Sequence, residues 1–380
     1  MILPLLLAVA QTAPASPPVQ GDVIVIAPRL EKELAACLAR NCPPAEEVEA
    51  SLQASVEQFA DGRYADARRT LQRAIRRNKD RAATMPGPIS SLYATLATVA
   101  EHEGESSLWL ASARNSVLTL RRHVGEAARP TLEAELAFGD NLVQLGQPDS
   151  AGDIYAKAQR LAIARGESRM AAAAAFRRAW LALQQRSHKE AESFANEAVA
   201  LAGPDNRFMS DLRDIVVMRI ALRRGDEGAV DALAARLRQA ATVKPLLLTS
   251  PPVDDVNSSL LGVVPAEGIR FADVGYWIRP DGRTADAEVL RTSGLGQWGP
   301  GILKQIKGRR YVPLTLEAGD PGVFRIDRYT VRASVQFVTG TRVRQRAGRL
   351  SVHVVDLTET DALSTVQQQR TAAARVRTET

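Results

Sequence analysis

The chain has 380 residues, enough for two or three domains, with 45% hydrophobic and 24% charged residues, an ordinary composition for a soluble globular protein. A net charge of +6 is mild for this length and, as an average, argues for solubility rather than for a nucleic-acid partner. Aromatic residues make up only 5%, and alanine, the best helix former, is plentiful, so the composition leans helical.

Ile2 to Ala10 is an almost unbroken apolar run, far shorter than the ~20 residues a membrane-crossing helix needs. Ala13-Pro14-Ala15 follows as a small-x-small cleavage pattern. Residues 1–15 therefore read as a secretory signal peptide cut after Ala15, and 16–28 as an extended leader, so the mature chain is expected to be exported, to the periplasm where the cell is of a Gram-negative type. No Lys or Arg precedes the apolar run, and only a longer basic start upstream would turn the segment into a membrane anchor. No other stretch is long and apolar enough to span a bilayer, so the mature chain is expected to be soluble. Within the leader, Asp22-Val23-Ile24-Val25-Ile26-Ala27 is β-rich and bracketed by Gly21 and Pro28. Cys37 and Cys42 are the two cysteines. In an oxidising compartment they would form a local disulfide tying a helix end to the loop after it; the alternative is two small buried thiols. No second ligand pair at metal spacing accompanies them.

Residues 29–241 read as helices throughout. A short motif recurs: Gly62-Arg63-Tyr64-Ala65-Asp66-Ala67 followed by Leu71 and Ala74, then Gly146-Gln147-Pro148-Asp149-Ser150-Ala151 with Tyr155 and Ala158 in register, then Arg186-Ser187-His188-Lys189-Glu190-Ala191 with Ala195 and Ala198. Fainter copies sit at Gly104 and Gly225, so the turns are spaced by 42, 42, 40 and 39 residues. A fixed period in this range is the mark of a solenoid of helical hairpins, each burying its apolar face on the next. The arrangement resembles the tetratricopeptide repeat, although its period exceeds the ~34 residues usual there. The resemblance implies a concave face that takes a peptide or protein; an irregular helical scaffold is the plainer reading.

Residues 242–267 form a Pro-rich linker with a short extended piece at Leu246–Thr249. Periodicity then changes. Val274, Tyr276 and Ile278 alternate with Gly275 and Trp277, Pro280-Asp281-Gly282 signals a tight turn, and Ala285, Ala287 and Val289 alternate with Asp286 and Glu288, predicting a β-hairpin with one buried face. Trp298 to Lys307 fits a short helix with Pro300 in its first turn. Asp327 to Phe337 reads as one long strand, with Tyr329, Val331, Ala333, Val335 and Phe337 on one face and Thr330, Arg332, Ser334 and Gln336 on the other. Beyond it, Arg342, Arg344 and Arg346 alternate on one side, and Leu350, Val352 and Val354 alternate next, an extra hairpin able to cover the sheet. The domain is thus bounded as 268–356, with 357–380 a polar tail.

This strand–strand–helix–strand order resembles the C-terminal domain of the TonB energy-transducer family. The matching elements are Pro280-Asp281-Gly282-Arg283, the Val289 to Gly294 segment ending in Ser293-Gly294, Arg310-Tyr311-Val312-Pro313 after the helix, and the strand ending Val335-Gln336-Phe337. The fold class expected is therefore α+β multidomain, a tetratricopeptide-like solenoid followed by a small TonB-like ββαβ domain. The resemblance implies a domain that grips N-terminal segments of outer-membrane transporters by adding them to its sheet edge. The strand that would do so comprises Arg328, Tyr329, Thr330, Val331, Arg332, Ala333, Ser334, Val335, Gln336 and Phe337. Residues 22–27 look like the peptide such domains bind; an ordinary first strand or a disordered leader is the plainer reading. A cleavable N-terminus departs from the family's membrane-anchored transducers. The second reading is an envelope scaffold whose repeats bind a protein and whose arginine side, at 342–346, meets peptidoglycan.

The histidines, His102, His123, His188 and His353, are scattered, and no nucleophile elbow, phosphate loop or dinucleotide fingerprint occurs. The expectation is an interaction protein without enzyme activity, cofactor or metal.

Overall fold

The computed structural model describes residues 29–241, 244–253, 260–265, 269–295, 298–317, 319–337, 339–341 and 343–358. The expected signal peptide at 1–15, the expected leader at 16–28 with its 22–27 segment, Arg342, and residues 359–380 of the expected tail lie outside the described residues.

Eleven α-helices come first: α1 (Arg29–Ala39), α2 (Pro44–Ala60), α3 (Tyr64–Asn78), α4 (Pro86–Glu103), α5 (Ser106–His123), α6 (Arg129–Gln144), α7 (Pro148–Ala164), α8 (Ser168–Gln184), α9 (His188–Ala202), α10 (Arg207–Arg223) and α11 (Ala229–Arg236), with a 3-10 turn, Lys79–Arg81, after α3. All five expected turns join a helix pair, and each turn residue is left-handed: Gly62, Gly104, Gly146, Arg186 and Gly225 have φ of 79°, 71°, 75°, 63° and 93°. The closing bonds repeat as well. At the first turn Gly62 N donates to Phe59 O and Arg63 N to Gln58 O; at the fourth, Arg186 N donates to Leu183 O and Ser187 N to Ala182 O. This paired pattern satisfies carbonyls that a helix end otherwise leaves open. The recurrent small residues are the contact: Ala67, Ala74, Ala151, Ala158, Ala191, Ala195 and Ala198 are fully buried. At Gly139 the packing is tightest, since a Cβ there would lie 2.3 Å from Tyr155 Cε1. Before the first pair, α1 is fixed by Glu57 of α2, whose carboxylate accepts from the backbone N–H groups of Arg29, Leu30 and Glu31. Cys37 and Cys42 form a disulfide with Cα atoms 5.1 Å apart, tying the end of α1 to the chain before α2.

The helical reading to 241 runs too far. α11 ends at Arg236 because the chain turns extended at Leu237, and Gln239–Ala240 (β1) pairs in parallel with Leu314–Thr315 (β7). The short piece in the linker is present as β2 (Leu247–Thr249), paired with β6 (Arg310–Tyr311). The linker also holds a strand that was not foreseen, β3 (Leu260–Pro265). The expected hairpin is β4 (Arg270–Ile278) and β5 (Thr284–Thr292), and the expected helix is α12 (Gly299–Lys307). Gly282, with φ of 80°, makes the hairpin turn, where a side chain would strike Tyr311 O.

The expected strand 327–337 is two strands. β8 (Val323–Arg332) lies in a four-stranded antiparallel sheet of order β11-β8-β4-β5, while β9 (Val335–Phe337) belongs to a separate sheet of order β3-β10-β9. β10 is Arg344–Arg349 and β11 is Ser351–Asp356. The break at Ala333 and Ser334 has a cause: Val335 N donates to Gly104 O, and Ala333 O accepts from Arg346, so the chain is drawn onto a helical turn. On one sheet face α12 covers Ala272, Val274, Tyr276, Ile278, Tyr329 and Val331. The expectation of a single buried face fails for β4, because Phe271, Asp273 and Trp277 are buried on the other side against the helical array.

Candidate protein-binding site

The sheet docks on the array by capping two of its turns. Helix ends at these turns present carbonyls and the negative end of the helix dipole, which cations satisfy. Arg328, fully buried on β8, pairs with Asp273 through Nε at 2.6 Å and Nη2 at 2.8 Å. The same guanidinium donates to Phe59 O at 2.7 Å, Ala60 O at 2.6 Å and Tyr64 Oη at 3.0 Å, and it lies 4.2 Å from the ring centroid of Phe271. Arg291 of β5 reaches Ala60 O as well and pairs with Asp273 at 2.9 Å. Phe271 sits directly over Gly62, where any side chain would collide with its ring. Burial pushes the Tyr64 phenol up to about 12.

The second cap lies one repeat along. Arg332 donates through Nε to His102 O at 2.6 Å and through Nη2 to Glu101 O; Arg346 donates to Glu103 O; Arg344 pairs with Glu105, which with Glu103 also faces Arg68. Burial, reinforced by neighbouring guanidinium charge, lowers Arg332 and Arg346 to about 10. Between them lies a histidine pair invisible in the sequence, whose members stand about 250 positions apart, one on α4 and one on β11. His102 is fully buried, its Nε2 is 2.8 Å from Thr330 Oγ1, and its ring centroid is 5.2 Å from that of His353 on β11. Burial holds His102 well below its ordinary value and His353 at about 4, and it raises Glu101, 3.8 Å from His353, to about 7. A third contact ties the sheet domain to the far end of the array, where Val312 and Leu248 pack with Ile215, Met218 and Leu233.

These contacts redefine the sequence-derived site. Arg328 to Arg332 do not border an open edge, because β8 is paired on both sides, with β4 and with β11. Of the extra hairpin anticipated after Phe337, only the second strand, β11, takes that edge; the first, β10, joins β3 and β9 in the other sheet, so the two do not pair as a hairpin. Ala333 and Ser334 form the bend, and Val335, Gln336 and Phe337 pair with β10. Arg344 and Arg346, expected on a solvated or polymer-facing side, are instead spent on the α4–α5 turn, since β10 packs against it.

Two outer edges remain in the four-stranded sheet: among the described residues no strand pairs with the far side of β11 or of β5. They differ. β5 carries register irregularities and a left-handed Asp286 (φ 51°), devices that blunt an edge. β11 runs six consecutive pairs with β8 without a shift. Leu357 N donates to Ile326 O, toward β8, so by alternation the backbone groups of Val352, Val354 and Asp356 face outward. Val354 is also among the exposed large hydrophobic residues.

The one group with metal-ligand geometry among the described residues is Cys37, Cys42 and Glu46, and both its sulfurs are engaged in the disulfide. No described helix is long and apolar enough to cross a membrane.

No protein-family model matches the sequence, and no curated protein matches it. Among solved structures, the chain is similar to BtubC from P. vanneervenii, at 15% identity and a TM-score of 0.43, over 55% of this chain and 89% of that one. It is also similar to a Rap protein complexed with Competence and Sporulation Factor, at 15% identity and a TM-score of 0.39, over 57% of this chain and 60% of that one. A third likeness is to the Rap conjugation gene regulator of plasmid pLS20 in complex with the Phr* peptide, at 13% identity and a TM-score of 0.38, over 57% and 56%. The chain thus spans a little over half the length of the two Rap proteins, and its own architecture is a helical-repeat region with a small C-terminal sheet region.

Proposed function

We propose that this chain is an exported, periplasmic protein-interaction module of the TonB-like class, which takes a partner's extended segment as an added strand and so assists or modulates outer-membrane transport. The observation that carries this reading is the outer edge of β11, a regular ladder whose outward backbone groups have no strand partner among the described residues. Strand addition draws affinity from such groups and specificity from alternate side chains. The docking strand therefore moves from Arg328–Phe337, where the resemblance put it, to Ser351–Asp356. The element order β4, β5, α12, β8 supports the class, and the capped array supplies a rigid base for the sheet. The scaffold reading loses the support of Arg344 and Arg346, which face the array rather than a polymer.

Titration of the chain with peptides from the N-terminal segments of outer-membrane transporters tests the proposal. Saturable binding is expected, and Val354→Pro is expected to weaken it more than tenfold. Proline removes an outward N–H and is tolerated on an edge strand. Absence of binding at millimolar peptide overturns the transport reading.

A further inference from the structure

The mild average charge conceals a concentrated one. Residues 68–81, covering most of α3 and the 3-10 turn after it, hold seven Lys and Arg residues and one acid, Asp80. That excess equals the +6 of the whole chain, so the remaining residues are neutral in sum. The inner face of α3 is sealed by Ala67, Leu71, Ala74 and Ile75; Arg68 turns toward Glu103 and Glu105, and the other cations project away from the core. Arg69, Arg73, Arg76, Arg77, Lys79 and Arg81 are exposed. Arg69 and Arg77 meet Asp66 and Glu47, whereas among the described residues no carboxylate is within ion-pair reach of Arg73, Arg76, Lys79 or Arg81. Cations in the last turn favour the helix dipole, which accounts for Arg76 and Arg77; Arg73 lies farther back and gains little from it.

Arg69, Arg73 and Arg76 fall on one stripe at spacings of four and three, and the row continues into the 3-10 turn for roughly 18 Å. No apolar or aromatic side chain of α3 is fully exposed, so the face offers neither a wedge for a hydrophobic core nor a platform for stacking bases. What it fits is a plane of negative charge met without insertion. We propose that this face of α3 docks on an anionic phospholipid surface, independently of strand addition at β11. Juxtaposed headgroups complement an unpaired cationic row, and the segment that carries it holds a charge excess equal to that of the whole chain.

The test is cosedimentation of the chain from Ser16 onward with vesicles of phosphatidylcholine alone and of phosphatidylcholine with one quarter phosphatidylglycerol. Binding is expected only to the anionic vesicles, and it should be lost in ~0.5 M salt, where the screening length falls to a few ångströms. Each charge removed should weaken it about five-fold, so the double variant Arg73→Gln/Arg76→Gln should lose more than tenfold. The double variant Arg114→Gln/Arg122→Gln, on the exposed side of α5, should lose little. Equal binding to both vesicles, an unaffected Arg73/Arg76 variant of native circular dichroism, or capture by duplex DNA or peptidoglycan but not by vesicles overturns the proposal.

Discussion

Replacing Arg328 by Met tests whether the arginine caps join array and sheet into one unit. The side chain is fully buried and makes five hydrogen bonds, two to Asp273 and three to α2 and Tyr64. Removing one member of a buried ion pair costs about 3–5 kcal/mol, because the other is left buried and uncompensated. Here Asp273 keeps Arg291 at 2.9 Å, and Phe59 O keeps its bond from Gly62 N, so the loss belongs at the lower end, about 3 kcal/mol. Urea unfolding followed by circular dichroism and by tryptophan fluorescence measures it. Trp277 reports the sheet face against the array. The transition of Arg328→Met should fall and broaden, and the sheet should become protease-sensitive before the helices. In the double variant Arg328→Met/Asp273→Leu, where no carboxylate is stranded, part of the loss should return. A change under about 1 kcal/mol, or a double variant no better than the single, refutes the role assigned to the cap.

Acid should loosen the same interface. His353 is neutral in the fold down to about 4 but takes a proton near its ordinary 6.5 when released. Its stabilising contribution is therefore full above 6.5 and is lost as pH falls toward 4, a change of up to about 3 kcal/mol; His102, shifted the same way, adds to it. Glu101 acts oppositely, its contribution present below 4.5 and lost as pH rises through about 7, so the profile of His353→Gln should be visibly flatter on the acid side than that of the unaltered chain. Gly139→Ala should cost about 1–3 kcal/mol by forcing Tyr155 off α6, read as a lowered thermal midpoint. Reduction of Cys37–Cys42 should lower stability by about 2 kcal/mol, less where α1 frays alone, measured by melting with and without reductant.

What the sequence conveyed depended on how locally each feature is determined. The five turns are legible because left-handed backbone needs glycine or tolerates few others, and the alanines that follow mark the helix contact. The β4–β5 hairpin and α12 were legible from alternation and from the Pro280-Asp281-Gly282 turn. β3 was not, since Leu-Leu-Gly-Val-Val lacks alternation and lies among prolines. Neither was the second buried face of β4, whose partners Phe59 and Gly62 stand some two hundred positions earlier. Arg325, Arg328 and Arg332 in one apolar strand were a signal of buried pairing that alternation alone left unread. The α3 stripe escaped because an average over the chain dilutes it.

Residue-resolved amide hydrogen exchange distinguishes strand addition at the outer edge of β11 from binding on the helical array. With a saturating transporter-derived peptide, the outward amides of Val352 and Val354 should slow at least tenfold, while Val355, already directed at β8, changes little. Unchanged exchange at Val352 and Val354, with new protection confined to the helices, would place the binding surface on the array and rule out strand addition at β11.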